Sequence, residues 1–230
     1  MRATLFVLVI GGTFGMTGCG VTSQLHSELS YDAAEHAVLA LSDTGIGVLT
    51  PAAPTGQESD KQALGDSLSS ALQQGLGDTR VLGLSEMLSA INRAGLATAY
   101  ANALADYETT GILDRDALRA IGEAGGVRYL AKLNLGNFNQ SSDKRLAIAG
   151  IRMFDTWRAT IRVHLEVWDS HTGEIAWQGN DELVYAREGV KDRPVTFRQV
   201  ANVAAADLVH KVGLSGAESI DQDPETLAAR

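Results

Sequence analysis

One stretch of alternating residues, Thr156 to Tyr185, constrains the fold of this chain more than any other. In its first half apolar residues hold every second position, and mostly polar residues hold the positions between them. Successive side chains of a strand point to opposite faces, so this half is a strand with one buried and one wet side. The turn residues Asp169 to Gly173 follow, and Ile175 and Trp177 open a returning strand. The stretch therefore predicts an antiparallel hairpin, whose buried side is Ile161, Val163, Leu165 and Val167 and whose wet side is Arg162, His164, Glu166 and Trp168.

The rest of the chain changes repeatedly between the periods of strands and helices. The apolar run Ile46 to Thr50 ends at a proline and predicts a buried strand, whereas leucines at four-residue intervals from Leu64 to Leu76 predict a helix. Asp114 is a predicted helix N-cap, and Thr196 with Gln199 forms a capping box before the last helix. These boundaries divide the chain into ten elements.

The predicted element order is β-α-β-α-α-α-β-β-β-α. Strands separated by helices favour parallel pairing, and three consecutive strands favour an antiparallel meander. We therefore expect an α/β fold, a single domain with a mixed sheet of about five strands flanked by helices. Between the third and fourth strands, the segment Asn139 to Phe154 is expected to be a mobile connection.

The N-terminus has the features of an export signal. A short positive start precedes the apolar or small residues Ala3 to Met16, which are too few to cross a bilayer as a helix of about 20 residues. The run ends in M-T-G-C and resembles the lipobox of bacterial lipoproteins. This resemblance implies cleavage between Gly18 and Cys19 and acylation of Cys19. Gly20 follows, instead of the aspartate that resembles an inner-membrane retention signal, so the outer membrane is the expected location.

Cys19 is the only cysteine of the chain. It cannot form an internal disulfide, and a single thiol in an exported protein requires an explanation. Acylation provides one, because two or three acyl chains hold a protein at a membrane far more firmly than a single chain. The alternative is an ordinary signal peptide with an incidental cysteine.

These signals divide the chain into four segments. Residues 1–18 are the predicted lipoprotein signal peptide, and residues 19–30 are the lipidated N-terminus and a tether. The α/β domain occupies residues 31–213 and lies in the periplasm, and residues 214–230 form an acidic tail predicted to be disordered. The tether would reach about 35 Å when extended.

A second resemblance concerns the domain itself. The strand and loop V-L-T-P, the passage L-D-R-D-A-L-R-A-I-G-E-A-G-G-V-R-Y-L and the hairpin V-H-L-E-V-W-D-S-H-T-G-E-I-A-W-Q-G carry it. Together they resemble the periplasmic α/β domain of the CsgG, PelC, LpoB and TolB N-terminal group, over Ile46 to Val212. Members of that group serve curli export, Pel polysaccharide export or activation of a cell-wall synthase. The resemblance implies a binding module, and the fold alone does not choose its partner.

The sequence offers little that would support catalysis. Phosphate-binding glycine loops, the G-x-S-x-G nucleophile motif and the H-E-x-x-H zinc motif do not occur. Ser141 and Lys144 match S-x-x-K, but the companion motifs are missing. His164 and Glu166 could supply two metal ligands, whereas a site needs three or four. We therefore expect no catalytic residue, no metal and no cofactor, and a protein that is not an enzyme.

A cluster of basic residues is the candidate partner surface. The net charge of −9 disfavours nucleic acid, so a local excess of positive charge suggests an anionic lipid, a polysaccharide or an acidic protein. Trp168 joins the candidates because it lies on the wet parity of its strand. The alternatives are a solvated loop for the basic residues and core packing for Trp168. The candidate residues are Lys144, Arg145, Arg152, Arg158, Arg162 and Trp168.

These observations favour an outer-membrane-anchored periplasmic lipoprotein. The first hypothesis is a non-catalytic scaffold or accessory subunit that helps to assemble or export an envelope component, with a homo-oligomeric ring as one possible form. The second is a regulator of a peptidoglycan synthase similar to LpoB, which would need a longer tether to reach the inner membrane. An envelope hydrolase or metal-binding protein is the third, and the missing motifs disfavour it.

Overall fold

The computed structural model describes residues 22–33, 44–54, 59–148, 151–189 and 195–211. The predicted leader, the acylation site Cys19 with its cleavage point after Gly18, and the predicted acidic tail lie outside them. The described elements are β1 (Thr22–Ala33), β2 (Ile46–Val48), α1 (Asp60–Gly75), β3 (Val81–Leu82), α2 (Leu84–Arg93), α3 (Ala97–Thr110), α4 (Arg115–Gly125), β4 (Tyr129–Ile148), β5 (Ile151–Asp169), β6 (Ile175–Gly189) and α5 (Phe197–Lys211).

The strands form one mixed sheet in the order β1-β6-β5-β4-β2-β3. Strand β2 pairs in parallel with β3 and with β4, as expected for strands joined through helices. Strands β4, β5 and β6 pair antiparallel in sequence order. The single α/β domain with parallel early strands and a C-terminal meander is thus confirmed, and from β2 onward the observed element order is the predicted one.

The first face of the sheet is covered by α1 and α5. The leucine stripe of α1 is buried, as are Val200, Ala204 and Leu208 of α5. They pack on the predicted buried side of β5 and on the matching parity of β4, which holds Tyr129, Ala131, Leu133 and Leu135. A helix presents one apolar stripe and a strand one apolar face, so α1, α5 and the sheet enclose a continuous core between them.

The second face of the sheet is covered only in part. Helices α2, α3 and α4 pack beside β2, the beginning of β4 and the end of β5, where they bury a separate cluster of apolar residues. Its members include Leu49, Met87, Tyr100, Leu118 and Trp168. The sheet is therefore sandwiched at one end, while among the described residues the remaining part of its second face has no helix packed on it.

Local capping chemistry sets the helix ends. The Asp114 side chain accepts a hydrogen bond from the Ala117 backbone N–H at 2.9 Å, which confirms the predicted N-cap of α4. The Thr196 hydroxyl accepts a hydrogen bond from the Gln199 backbone N–H at 3.3 Å, and Gln199 Oε1 accepts one from the Thr196 backbone N–H at 3.0 Å. This is the predicted capping box. The N-cap of α2 is Gly83, whose backbone N–H donates a hydrogen bond to Glu86 Oε2 at 3.0 Å, so the helix begins at Leu84.

The N-terminal segment differs from the prediction. Residues 19–30 were expected to form a tether, whereas Thr22–Ala33 form β1, which pairs antiparallel with β6 from Thr22↔Glu188 to Ala33↔Trp177. The sheet therefore has six strands, and β1 is the edge strand opposite β3. Short polar residues obscured the alternation of β1, and its partner lies near the other end of the chain.

The segment expected to be mobile is instead part of a long hairpin. Strands β4 and β5 pair from Tyr129↔Asp169 to Ile148↔Ile151, and the expected connection Asn139 to Phe154 falls within them except for residues 149–150, which lie outside the described residues. The register shifts between Leu135 and Asn137, so Gly136 is the extra residue of a β-bulge. We call the outer part of this hairpin, residues 144–148 and 151–155, the hairpin arm.

Among the described residues, no helix combines the length and the apolar character that a membrane span requires.

Candidate functional site

A polar network lies on the second face of the sheet, where α3 ends. Strand β5 contributes His164 and Glu166, which the sequence predicted to lie on its wet side, and β4 contributes Lys132 and Asn134 opposite them. The pairing register places Lys132 beside Glu166 and Asn134 beside His164. The two strands therefore present a compact block of polar groups.

Glu166 is the centre of this network and is itself buried. Its Oε2 accepts hydrogen bonds from the Tyr107 hydroxyl at 2.8 Å and from Trp168 Nε1 at 3.1 Å. Its Oε1 accepts a hydrogen bond from His164 Nε2 at 3.1 Å. Three donors thus converge on one carboxylate, as a buried charge requires.

Helix α3 reaches the network because its inward side carries two tyrosines seven residues apart. Tyr100 is buried, and its hydroxyl accepts a hydrogen bond from the Thr50 backbone N–H at 2.7 Å and donates one to Thr50 Oγ1 at 2.9 Å. Tyr107, two turns later, donates to Glu166 and accepts from Asn134 Nδ2 at 2.7 Å. The two hydroxyls fix the helix to the sheet at both ends of its buried side.

Lys132 is almost completely buried beside the network, with 2% of its surface exposed. Its Nζ donates to the Thr50 carbonyl at 3.1 Å and lies 4.6 Å from the centre of the Tyr107 ring. Burial lowers the pKa of Lys132 to about 8, even though the nearby carboxylate of Glu166 favours its charged form. The ammonium group is therefore held in a site that disfavours its charge.

The network also shifts the pKa values of the two acid–base groups on β5. Burial alone would raise the pKa of Glu166, but the hydrogen bonds from His164, Tyr107 and Trp168 outweigh burial, and the pKa is lowered. The hydrogen bond to Glu166 raises the pKa of His164 against the opposing effect of burial. The pair therefore favours an imidazolium beside a carboxylate. Because the carboxylate is already occupied by three donors, the geometry suits positioning better than proton abstraction.

A groove of about 500 Å³ lies next to the network on the bare part of the second face. Arg162 and Glu182 form one side of it and bind each other through two hydrogen bonds of 2.8 and 3.2 Å. The Oδ1 atom of Asn134 is buried and has no hydrogen-bond partner within the described residues. Polar residues lining the groove are Glu28, Asn134, Arg162, His164, Asn180, Asp181 and Glu182.

The structure separates the predicted surface residues into three groups. Arg158 and Arg162 are exposed on the bare second face. Lys144, Arg145 and Arg152 lie in the hairpin arm. Trp168 was a surface candidate with core packing as its alternative, and because only 4% of it is exposed, the alternative is the one that the structure shows. Helices α3 and α4 cover its end of β5, so the wet parity of the strand becomes a second core there.

The described residues also bear on two weaker candidates for chemistry, a metal site and the S-x-x-K match. They hold no group of three or more histidine, cysteine or acidic side chains placed to bind a metal ion. In the S-x-x-K match, Ser141 and Lys144 lie three positions apart on the single strand β4, so their positions have opposite parity. A serine and a lysine on opposite faces of a sheet do not form a nucleophile–base pair.

Sequence reasoning did not identify three members of the network: Tyr107, Lys132 and Asn134. The two residues on β4 had a usable signal, since they occupy the polar parity of a strand whose other parity is apolar. Tyr107 also had one, because it follows Tyr100 by seven residues on the inward side of its helix. The position of α3 over the end of β5 had no signal in the local sequence.

Comparison with known proteins yields structural neighbours only. No family model and no curated protein matches the chain. A PelC dodecamer from Paraburkholderia phytofirmans is similar at 12% identity and a TM-score of 0.48, covering 84% of this chain and 100% of that chain. A variant of that dodecamer has the same identity and a TM-score of 0.45, covering 86% and 100%. Lipoprotein GNA1162 from Neisseria meningitidis follows at 12% identity and a TM-score of 0.41, covering 74% and 97%.

Proposed function

We propose that this chain is a lipid-anchored protein of the bacterial cell envelope that acts as a non-catalytic scaffold or accessory subunit. The observation that carries the proposal is the position of β1 relative to the lipobox-like sequence. The M-T-G-C motif ends at Cys19, and the sheet begins only three residues later, at Thr22. A folded domain that starts directly after the acylation site suits a protein held close to a membrane.

This arrangement favours a partner at the anchoring membrane. Three residues span at most about 11 Å, instead of the 35 Å expected for a tether. A regulator similar to LpoB would have to reach a synthase in the inner membrane from an outer-membrane anchor, and such a short connection disfavours it. We therefore place the partner, an envelope protein or a polysaccharide, beside the outer membrane.

The polar network supports a binding role. The groove next to it offers both hydrogen-bond donors and acceptors, while the carboxylate of Glu166 is already satisfied by three donors. Bare sheet surface next to the groove leaves room for a macromolecule. Homo-oligomerisation is part of the proposal, because β1 and the outer part of β4 are strand edges without a partner strand in the described chain.

Acyl labelling and mass spectrometry of the mature protein test the anchoring. We expect cleavage between Gly18 and Cys19 and fatty acid on Cys19, with both lost in Cys19→Ala. As a matched control, Gly20→Asp should keep the acyl groups but move the protein to the inner-membrane fraction of a density gradient. An unmodified Cys19, or cleavage elsewhere, would refute the proposed anchoring.

Crosslinking in intact cells tests the scaffold role. An accessory subunit should crosslink to itself or to a defined envelope component, and charge reversal of exposed groove residues should remove that product. The variant Arg162→Glu/Glu182→Arg keeps the ion pair with its charges exchanged and serves as the control for folding. Wild-type crosslinking by the single variant Arg162→Glu would exclude the groove as the contact surface.

A further inference from the structure

The edge of the sheet at β3 presents unpaired backbone groups. Strand β3 is the last strand of the sheet, so among the described residues it has a neighbouring strand only on the side of β2. The Ile46 backbone N–H donates to the Arg80 carbonyl at 2.9 Å, and Ile46 lies opposite Val81 in the parallel pairing. Because the backbone groups of successive residues point to alternate sides of a strand, the N–H and the carbonyl of Val81 point away from β2. These two groups can pair with a further strand.

A cavity of about 620 Å³ lies between this edge and helix α2. We call it the edge groove. A strand edge beside a helix suits an extended peptide, since the strand supplies backbone hydrogen bonds and the helix side chains supply specificity. The residues that line the edge groove are Arg80, Val81, Leu82, Ser85, Glu86, Ser89 and Arg93.

The edge groove has an excess of positive charge, although the chain has a net charge of −9. Arg80 and Arg93 are both exposed, and neither forms an ion pair with another described residue. Arg80 donates to two backbone carbonyls at the end of α4, at 3.0 and 3.1 Å, and its other guanidinium N–H groups are left for a ligand. Glu86 is the one acidic lining residue, and its Oε2 accepts the Gly83 backbone N–H. The groove therefore suits a segment that carries carboxylates.

The C-terminal residues of the chain start close to this groove. Helix α5 ends two residues after Val209, which lies against the end of α1: a Cβ atom added to Gly75 would be 2.6 Å from Val209 Cγ1. From Gly75 to Arg80 the chain advances by five residues, a span of at most about 18 Å. Residues 212–230, which lie outside the described residues, follow α5 directly and hold four acidic side chains and one basic one. A segment of suitable charge is therefore attached near the groove.

Within these residues the stretch Glu218 to Asp223 matches the groove best. It reads E-S-I-D-Q-D, with three carboxylates, and we call it the acidic segment. Seven residues lead to it from Lys211 and can span about 25 Å, which exceeds the distance from Gly75 to Arg80. It contains no proline, so each of its backbone N–H groups can take part in strand pairing.

We propose that the acidic segment docks in the edge groove of its own molecule as an added strand beside β3, with its backbone on Val81 and its carboxylates on Arg80 and Arg93. The segment then covers a free edge of the sheet, which protects that edge from pairing with other chains. Because it is joined to the domain, it competes at a high effective concentration with any acidic peptide of another protein. This docking is independent of the proposed anchoring.

Hydrogen exchange at the Val81 backbone N–H tests the added strand. With the acidic segment docked for about nine-tenths of the time, this N–H should exchange about tenfold more slowly in the full chain than in a chain that ends at Lys211. The shorter chain keeps every described residue, and equal exchange of the Met87 N–H within α2 in both chains checks that it is folded. Equal exchange at Val81 in two folded chains would overturn the proposal.

Charge reversal separates the groove from general charge. Arg93→Glu replaces an attractive exposed pair by a repulsive one and should shift the docking equilibrium about tenfold, so the protection of Val81 should fall from about tenfold to about twofold. Arg119→Glu, at an exposed position on α4, is the matched control and should leave the protection unchanged. Equal losses in the two variants would contradict docking in the groove. Replacing the three carboxylates of the acidic segment by amides leaves the described domain untouched, and full protection in that variant would also refute the proposal.

Photocrosslinking identifies what occupies the groove. With p-benzoylphenylalanine at position 220 of the full chain, we expect a crosslink to residues 80–93 within one molecule, at the mass of a monomer. Arg93→Glu should reduce this product, and Arg119→Glu should not. A crosslinked dimer would show that the acidic segment binds a second copy, and a crosslink to another part of the domain would place it outside the groove. Either result overturns the proposal.

Discussion

The burial of Trp168 gives the sharpest prediction about stability. The side chain is 4% exposed and packs with the cluster formed by α2, α3 and α4 on the second face. A buried tryptophan removes about 150–250 Å² from water, which at about 25 cal/mol per Å² corresponds to roughly 4–6 kcal/mol. Measured losses for aromatic-to-alanine changes in cores are about 3–5 kcal/mol. We therefore expect Trp168→Ala to lower the free energy of unfolding by about 4 kcal/mol.

The lost hydrogen bond adds little to this value. Trp168 Nε1 donates to Glu166 Oε2, but the same carboxylate keeps its hydrogen bonds from Tyr107 and His164. No charge is left without a donor, so the hydrogen-bond contribution is about 1 kcal/mol or less. Trp168→Phe, which retains most of the apolar volume, should accordingly lose only about 1–2 kcal/mol.

Urea unfolding followed by tryptophan fluorescence and circular dichroism measures these differences. A loss of about 4 kcal/mol corresponds to a fall in Tm of roughly 8–16 °C for a domain of this size. Leu88→Ala, at a position on α2 that is 39% exposed, is the control and should lose less than about 1 kcal/mol. A loss below 1 kcal/mol for Trp168→Ala, together with impaired crosslinking to a partner, would refute the burial argument and restore Trp168 to the surface.

Two further predictions concern the pH dependence of stability, measured by urea unfolding across a pH series. The pKa of His164 is raised on folding, so the stability that this group contributes is lost as pH rises above about 6.5. The pKa of Glu166 is lowered on folding, so the stability that this group contributes is lost as pH falls below about 4.3. His164→Gln should therefore abolish the decline on the alkaline side, and an unchanged profile in this variant would contradict the pairing. Lys132 behaves in the opposite sense: its pKa falls from 10.5 to about 8 on folding, so the unfolded chain binds more protons between these values and stability rises with pH there. Lys132→Met should remove that rise, and Lys61→Met, which changes a partly exposed lysine on α1, should not.

The sequence predicted the fold wherever the pattern of burial is local. The alternation of Ile161, Val163 and Leu165 placed them in the core because one covered face is enough to select a parity. The leucine stripe of α1 and the caps at Asp114 and Thr196 were equally local and were confirmed. Such signals need only neighbouring residues along one element.

The errors arose where burial depends on elements far apart in the chain. Parity assigned Trp168 to the wet side of β5, but α3 and α4 cover that side at the end of the strand. The polar network was missed for the same reason, since Tyr107 reaches Glu166 from a helix 59 residues earlier. Strand β1 was taken for a tether because the partner that makes it a strand is β6.

The long hairpin of β4 and β5 illustrates a third limit of sequence reasoning. Its polar segment from Ser141 to Lys144, S-S-D-K, has the composition of a loop, and composition was the basis for expecting a mobile connection. Two strands that pair with each other over many residues can tolerate such residues, because their backbone groups satisfy one another whatever the side chains are. Whether a polar segment pairs is decided by the opposing strand.

The pairing of β1 with β6 also sets an order of events during maturation. If the chain is exported as proposed, β1 is the first described strand to leave the translocation channel, but it has no partner until β6, which ends at Gly189, has followed. Closing that pair joins nearly the two ends of the described chain, a contact that forms late because so much chain must be ordered first. Under the proposed anchoring, the bond after Gly18 is thus accessible to a processing enzyme while the neighbouring strand is still extended. Under that anchoring, the strand that follows the acylation site would therefore be the last to find its place in the sheet, although it is the first to be made.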